Sequence, residues 1–350
     1  MTETGTLVAV LVAFIFSALA TRWLSGRGGG LLGALDHPNE RSLHQTPVPR
    51  TGGLGVLAGL AVLALAAAVY WFQVGGPAGP WPWLAAALVL VAGISFLDDH
   101  GEVPRRYRLI AHLAAAGVLM AGGVLWQAID LPGTGWYLPG AISLALTLLF
   151  VVWMINLYNF MDGMDGLAGS MAVFGFGALA VLGWRGGDPG FAAAAAATAA
   201  AGAGFLTSNF PPARIFLGDA GSSSLGLLAA GLSLIGAQRS LFPLWVAWLA
   251  FSPFIVDATW TLLRRLHAGE RVWQSHRSHH YQRLVLAGWS HRKTLLRSWV
   301  LMAGCAATAV AAVTMPVAEQ AWLLLAWTGI YVLIHLRVGL AERSAERGDA

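Results

Sequence analysis

Five aspartates fall in three short clusters of a chain that is otherwise mostly apolar. Asp98 and Asp99 close the segment Ser95-Phe96-Leu97-Asp98-Asp99. Asp162 and Asp165 lie in Asn156-Leu157-Tyr158-Asn159-Phe160-Met161-Asp162-Gly163-Met164-Asp165-Gly166, and Asp219 in Ile215-Phe216-Leu217-Gly218-Asp219-Ala220-Gly221-Ser222. The 350 residues hold only 17 acidic side chains, so five beside apolar runs need a reason. An ionised carboxylate next to hydrocarbon is costly unless it meets a cation. Carboxylates grouped at a water-facing edge suit a hard divalent ion, Mg²⁺ or in its place Mn²⁺, that holds a diphosphate.

Each cluster also has a plainer explanation. Asp98-Asp99 at a helix C-terminus would oppose the helix dipole and so require a cation, yet Arg105, Arg106 and Arg108 follow and could simply neutralise the pair. Asp162 and Asp165 are three apart, their glycines allow close backbone approach, and Asn156 and Asn159 add neutral oxygens and amides. That exceeds what a turn into the next helix needs. Asp219 opens a helix whose free N–H groups suit phosphate, unless Asp219 itself is the cap. Phe216 could stack on a base or simply fill the core. In the proline-rich stretch Asp36–Gly53, Arg41, His44 and Arg50 are candidate phosphate contacts, against a juxtamembrane basic stretch that meets anionic lipid heads. Near the C-terminus, Arg277 and His279 are candidates of the same kind. Four of the ten histidines, His276, His279, His280 and His291, gather there, but hard-ion chemistry with five carboxylates argues against zinc. The rest of that loop reads as a basic segment lying on the membrane.

The elements that must position these groups are membrane helices. The chain is 57% hydrophobic and 11% charged, with 16 Trp and 43 Gly, and apolar runs of about 20 residues recur. Eleven spans are expected at 5–24, 52–74, 82–97, 109–130, 138–157, 167–184, 189–207, 221–237, 241–262, 295–315 and 318–337, in one all-α polytopic membrane domain over 1–350. The first is expected to be a retained helix rather than a cleaved signal. With the N-terminus outside, every Lys and Arg except Arg185 and Arg239 falls on the inner side, as the positive-inside rule favours. All three acidic clusters then face the cytoplasm, in inner loops 25–51, 98–108, 158–166, 208–220 and 263–294. The tail 338–350 is cytoplasmic too. The outer loops are short and carry no evident chemistry. The Ala192–Ala201 run reads as a tightly packed helix. Cys305 is alone, which excludes an internal disulfide.

Taken in order, these segments resemble the polyprenyl-phosphate N-acetylhexosamine-1-phosphate transferases of glycosyltransferase family 4. The resemblance runs from about Asp36 to Arg283. It implies an eleven-helix fold with a cytoplasmic cleft, and transfer of a sugar 1-phosphate from a UDP-N-acetylhexosamine to undecaprenyl phosphate, with Mg²⁺ and release of UMP. It implies catalytic roles for Asp98, Asp99, Asp162 and Asp165, a metal at Asp219 with Asp99, and uracil against Phe216. Asn159 matches its Asn-Phe-x-Asp-Gly-x-Asp-Gly segment, and His44, Pro47, Arg50, Gly52 and Gly53 its first-loop pattern. Arg277-Ser278-His279-His280-Tyr281-Gln282-Arg283 departs from the His-x-His-His form of many members. It looks like the branch that initiates O-antigen, and since this loop is expected to contact sugar or phosphates, it leaves the sugar open. The expected setting is a bacterial inner membrane, with membrane lipid as surroundings, a homodimer compatible with the chain and no nucleic acid as partner.

Two rivals are weighed. An intramembrane Mg²⁺-dependent prenyltransferase would explain Asn159, Asp162 and Asp165 but not the Gly-Asp-x-Gly-Ser segment or the histidine loop. A transporter or flippase would place charges near the midplane and often show inverted repeats. Here the charges gather on one side, no repeat is visible, and Asp257 is expected to orient the final loop rather than line a path.

Overall fold

The structure, a computed structural model, describes residues 3–27, 32–36, 47–74, 79–101, 103–271 and 276–348. Among them are twelve helices and two short antiparallel hairpins. The helices are α1 (Glu3–Ser25), α2 (Gly52–Val74), α3 (Trp81–His100), α4 (Arg105–Ala121), α5 (Gly140–Phe160), α6 (Leu167–Arg185), α7 (Pro189–Asn209), α8 (Gly218–Gln238), α9 (Leu244–His267), α10 (His280–Leu286), α11 (His291–Ala312) and α12 (Val317–Glu346). One hairpin pairs β1 (Leu35–Asp36) with β2 (Val48–Pro49), in register Leu35 to Pro49. The other pairs β3 (Ala128–Leu131) with β4 (Thr134–Tyr137).

Ten of the helices are long and apolar enough to cross a membrane. The expected span 109–130 is corrected. It ends at Ala121, not near 130, because Gly122 and Gly123 cap it and Gly123 takes φ +80°. At 17 residues, α4 is about 25 Å long, short of the roughly 30 Å hydrocarbon core. The chain must still cross here, since Asp99 before α4 and Asn159 at the end of α5 both reach Asp219. The β3–β4 hairpin with its Pro132-Gly133 turn then leads into α5.

Lipid tails are as apolar as leucine, so these helices associate by close packing and hydrogen bonds more than by water exclusion. Small residues make that packing. A Cβ on Gly204 would lie 2.5 Å from the carbonyl oxygen of Phe14, and one on Gly59 would lie 2.5 Å from that of Ala13. Ser17 donates to the Ala201 carbonyl at 2.7 Å. The alanine run of α7 is thus the tightly packed surface expected of it. At the centre stands α8, almost wholly enclosed by its neighbours. Gly226 brings its backbone against Met154 and Ile155 of α5, and Gly231 meets Leu84 of α3. Both helices carrying acidic segments are thereby locked to the one that carries Asp219.

Candidate active site

The site forms where the C-terminus of α3 meets the N-terminus of α8. Asp99 is buried, and its two carboxylate oxygens accept the N–H groups of Asp219 and Ala220, each at 2.9 Å. Expected as a metal ligand and catalytic group, Asp99 is placed by these contacts as the cap of α8. This also removes the plain explanation of Asp219, which is not the cap of its own helix. Gly218 makes the contact possible. It takes φ +74°, and a Cβ there would sit 2.0 Å from the Arg50 carbonyl and 3.0 Å from both Asp99 oxygens.

Freed from capping, the Asp219 carboxylate accepts Asn159 Nδ2 at 2.8 Å and Arg108 Nη1 at 3.1 Å. Arg108 Nη1 also holds Asp98 in a short ion pair, and the other Asp98 oxygen accepts the Val103 N–H at 2.9 Å. One guanidinium therefore joins the carboxylates of α3 and α8. Asn159 is fixed further by Ser222 Oγ at 3.0 Å.

The first inner segment is sewn to the segment before α8. The Phe216 N–H donates to Pro49 O at 2.7 Å, Gly52 N–H to Phe216 O at 2.9 Å, and Gly53 N–H to Leu217 O at 2.7 Å. A Cβ on Gly53 would fall 2.3 Å from Gly221 Cα, so only glycine allows this approach. Phe216 is half-buried in the seam. Arg50, expected to meet phosphate, turns its guanidinium onto the last carbonyls of α3: Nη2 lies 2.6 Å and Nε 3.1 Å from Asp99 O. Arg41 and His44 lie outside the described residues.

Asp162 is partly buried and joins the same group electrostatically. Burial first, then the charges of Asp219 and Asp99, push its carboxyl well above the usual range. Asp165 is engaged elsewhere: Oδ2 accepts the Ala213 N–H at 3.0 Å, and Oδ1 lies 3.3 Å from His291 Nδ1. Asn156 also faces away, donating to Val152 O at 2.7 Å and lying 3.3 Å from His112 Nδ1. Sequence reading missed Asn209. This buried side chain accepts the Gly166 N–H and donates to Ile215 O, both at 2.8 Å, and so ties the Asp162 loop to the Asp219 loop. Its place before Phe210-Pro211-Pro212, where a helix must end, was the available signal.

Asp257 orients the final loop, as expected. Its carboxylate accepts the His280 N–H at 2.9 and 3.0 Å and lies 3.4 Å from His279 Nδ1. Tyr281 and Gln282 turn toward the protein. Tyr281 is buried, with its hydroxyl 3.4 Å from Phe160 O and 2.2 Å from where a Gly163 Cβ would stand. Gln282 Oε1 accepts the His279 N–H at 3.2 Å. These two residues dock the loop onto the Asp162 segment. The ring of His279 stacks on that of Tyr281, and Arg277 is exposed.

A family model described as glycosyl transferase family 4 matches residues 81–237, which run from α3 through the end of α8. A probable undecaprenyl-phosphate N-acetylglucosaminyl 1-phosphate transferase of Bacillus subtilis is 29% identical over 302 residues, covering 83% of this chain and 81% of its own length. A decaprenyl-phosphate N-acetylglucosaminephosphotransferase of Mycobacterium leprae is 30% identical over 314 residues, covering 80% and 78%. An undecaprenyl-phosphate alpha-N-acetylglucosaminyl 1-phosphate transferase of Yersinia pestis is 26% identical over 302 residues, covering 82% and 79%. The paired aspartates, the Asn159–Asp162 segment and Asp219 all lie inside the matched region; Arg108 joins Asp98 to Asp219, Asn159 donates to Asp219, and Asp99 caps the helix that carries it. The chain belongs to glycosyl transferase family 4, as a multi-pass membrane enzyme.

Proposed function

We propose that this enzyme transfers a HexNAc 1-phosphate from a UDP-sugar to undecaprenyl phosphate, giving undecaprenyl-diphospho-HexNAc and UMP. We place the reaction on the cytoplasmic side of a bacterial plasma membrane, as the first membrane step of O-antigen or another surface glycan. One observation carries the reading. Carboxylates from separate helices, Asp98 and Asp219, converge on one guanidinium at a helix N-terminus, with Asp162 beside them. Such a concentration of charge is costly at a membrane edge and repays its cost where phosphates and a cation react. The names of the relatives, N-acetylglucosamine-1-phosphate transferases acting on polyprenyl phosphates, agree with it.

Mg²⁺ fits the donor set. Asp98 and Asp219 are hard-oxygen donors that already share one cationic group, and Asp162, raised first by burial and then by the charges of Asp219 and Asp99, lies within their field. Among the described residues no three His, Cys, Asp or Glu side chains close a metal cage. Mg²⁺ characteristically takes one or two carboxylates together with waters and substrate phosphates. Asp219 would hold the ion with Asp98 beside it. Once bound, Mg²⁺ would neutralise the donor diphosphate and the charge on departing UMP.

The chain's own residues do the rest. Asn159 and the Asp99-capped first turn of α8 fix the direction of Asp219. Arg108 offsets repulsion between the two anionic substrates. Asp99 serves first by capping α8, through one backbone N–H on each oxygen, and we assign orientation of the acceptor to Asp98 and Asp162. An oxygen of the lipid phosphate attacks the β-phosphorus, the bond from β-phosphorus to the bridging oxygen breaks, and UMP leaves with that electron pair. A phosphorylated aspartate formed without acceptor would overturn this direct route.

The test is UMP release by purified protein with undecaprenyl phosphate, Mg²⁺ and a panel of UDP-sugars. Lipid-dependent UMP from one sugar, abolished by EDTA and by Asp219→Asn, supports the reading and names the donor. Release of inorganic diphosphate from a prenyl donor, or uptake into proteoliposomes without UMP, overturns it.

A further inference from the structure

The last helix, α12, is the least covered by the rest of the protein among the ten apolar helices and buries only Trp327 and Val338. Yet it carries polar groups on one stripe. Tyr331, His335 and Glu342 recur at helical spacing and each meets a polar partner on a neighbouring element. Tyr331 reaches Ser252 of α9 at 2.6 Å. His335 Nδ1 lies 3.2 Å from His280 Nε2, and its ring stands edge-on to Trp260 of α9, with 4.7 Å between centroids. At the inner end, Glu342 takes the Arg283 guanidinium with both oxygens: Oε1 accepts Nε at 2.6 Å, and Oε2 and Nη2 form a second, shorter contact. Arg283 is only about one-tenth exposed, and Glu342 about one-third. A bidentate pair of this kind fixes direction as well as distance.

His280 and Arg283 lie on the first turn of α10, directly after His279. That turn is also held from α9, by Asp257 on the His280 N–H and by Arg264 Nη2 on Ser278 O at 3.2 Å. The loop carrying His279 is therefore gripped from two sides, and only one of these grips belongs to the helix that precedes it. An amphipathic tail lying on lipid would need neither contact.

From these contacts we infer that the inner end of α12 is a strut that positions the His279 loop over the site, with Glu342 and His335 as positioning residues acting through Arg283 and His280. The role rests on the transferase reading for its kinetic half; the contact itself does not.

The test uses the full-length protein in detergent and compares wild type, Glu342→Gln, Arg283→Glu and the swap Arg283→Glu with Glu342→Arg. Hydrogen exchange is followed over 276–288 alongside kcat and KM for each substrate. We expect Glu342→Gln to speed exchange in that loop and leave α8 and the melting temperature nearly unchanged. It should lower kcat/KM for the UDP-sugar about tenfold, with the KM for lipid acceptor unmoved, and the swap should recover most of both losses. Unchanged exchange in the loop overturns the strut. So does faster exchange with unaltered donor kinetics in an active wild type, or a parallel fall in both substrates' parameters with a lower melting temperature. If wild type makes no UMP with any sugar, the transferase reading fails, and exchange in the variants and the swap still decides the strut by itself.

Discussion

Replacing Asp99 by Asn separates the capping role seen in the structure from the catalytic role expected from the sequence. The carboxylate accepts two backbone N–H groups, one on each oxygen, at 2.9 Å each, and is 3% exposed. An amide keeps one acceptor and turns an NH₂ toward the other N–H. One charge-assisted hydrogen bond is lost, worth about 1.5–3 kcal/mol. Helix α8 then starts with a buried N–H unmatched, either at Asp219 or at Ala220. If this cost is met by displacing Asp219, the rate falls by about 10- to 100-fold, since about 1.4 kcal/mol corresponds to each factor of ten. The assay is initial UMP release with saturating substrates across pH 6–9, with a melting curve on the same preparation. A cap predicts a lower kcat with the shape of the pH profile retained. A rate within about twofold of wild type would refute the cap reasoning, and a profile that loses its acidic limb would make Asp99 a proton acceptor.

Other perturbations follow from the same geometry. Arg108→Ala should cut activity by at least about 100-fold, because Asp98 and Asp219 lose their shared counter-charge. Arg108→Lys should recover only part of it, as a point charge replaces the fork; UMP release by the two variants checks both statements. Gly163→Ala places a Cβ 2.2 Å from Tyr281 Oη and should cost about 1–3 kcal/mol of stability. Adding Tyr281→Phe, which removes that oxygen, should return part of the loss in thermal melts. Asp162 supplies a pH test. Its carboxyl is raised in the folded state above the ordinary 3.8, so the folded protein binds more protons than the unfolded chain above that pH. Stability without Mg²⁺ should therefore fall as pH rises from about 4, and Asp162→Asn should flatten that decline in melts recorded at stepped pH.

Much of the architecture was legible because lipid imposes a length and a polarity on each element. The positions of ten spans followed from apolar runs, and the shared side of the acidic clusters followed from arginine placement. The α4 boundary failed for an identifiable reason. Val124, Leu125, Trp126, Ala128, Ile129 and Leu131 prolong the hydropathy of the helix, but the Gly122-Gly123 and Pro132-Gly133 pairs were local signals that should have outweighed it. The site itself was only half legible. Asp98, Asp162, Asn159 and Asp219 do converge, whereas Asp165 and Asn156 bind other partners. Which aspartate caps α8 was beyond local rules, because the cap arrives from a residue 120 positions earlier. The inward turn of Tyr281 and Gln282 was illegible for a related reason: a motif names residues, but only packing decides which of them turn inward.

The seam between Pro49–Gly53 and Phe216–Leu217, closed by Asp99 on the first turn of α8, has a practical meaning for anyone building hybrids of this enzyme. Three stretches far apart in the chain behave there as one machined part. Exchanging any single stretch with that of a distant relative would mismatch hydrogen bonds and a glycine-to-glycine approach that tolerates no added methyl. A graft that carries 47–53, 95–108 and 214–222 together is the smallest unit that preserves the joint. The loop over 276–288 can be exchanged separately, provided its partners on α9 and α12 travel with it.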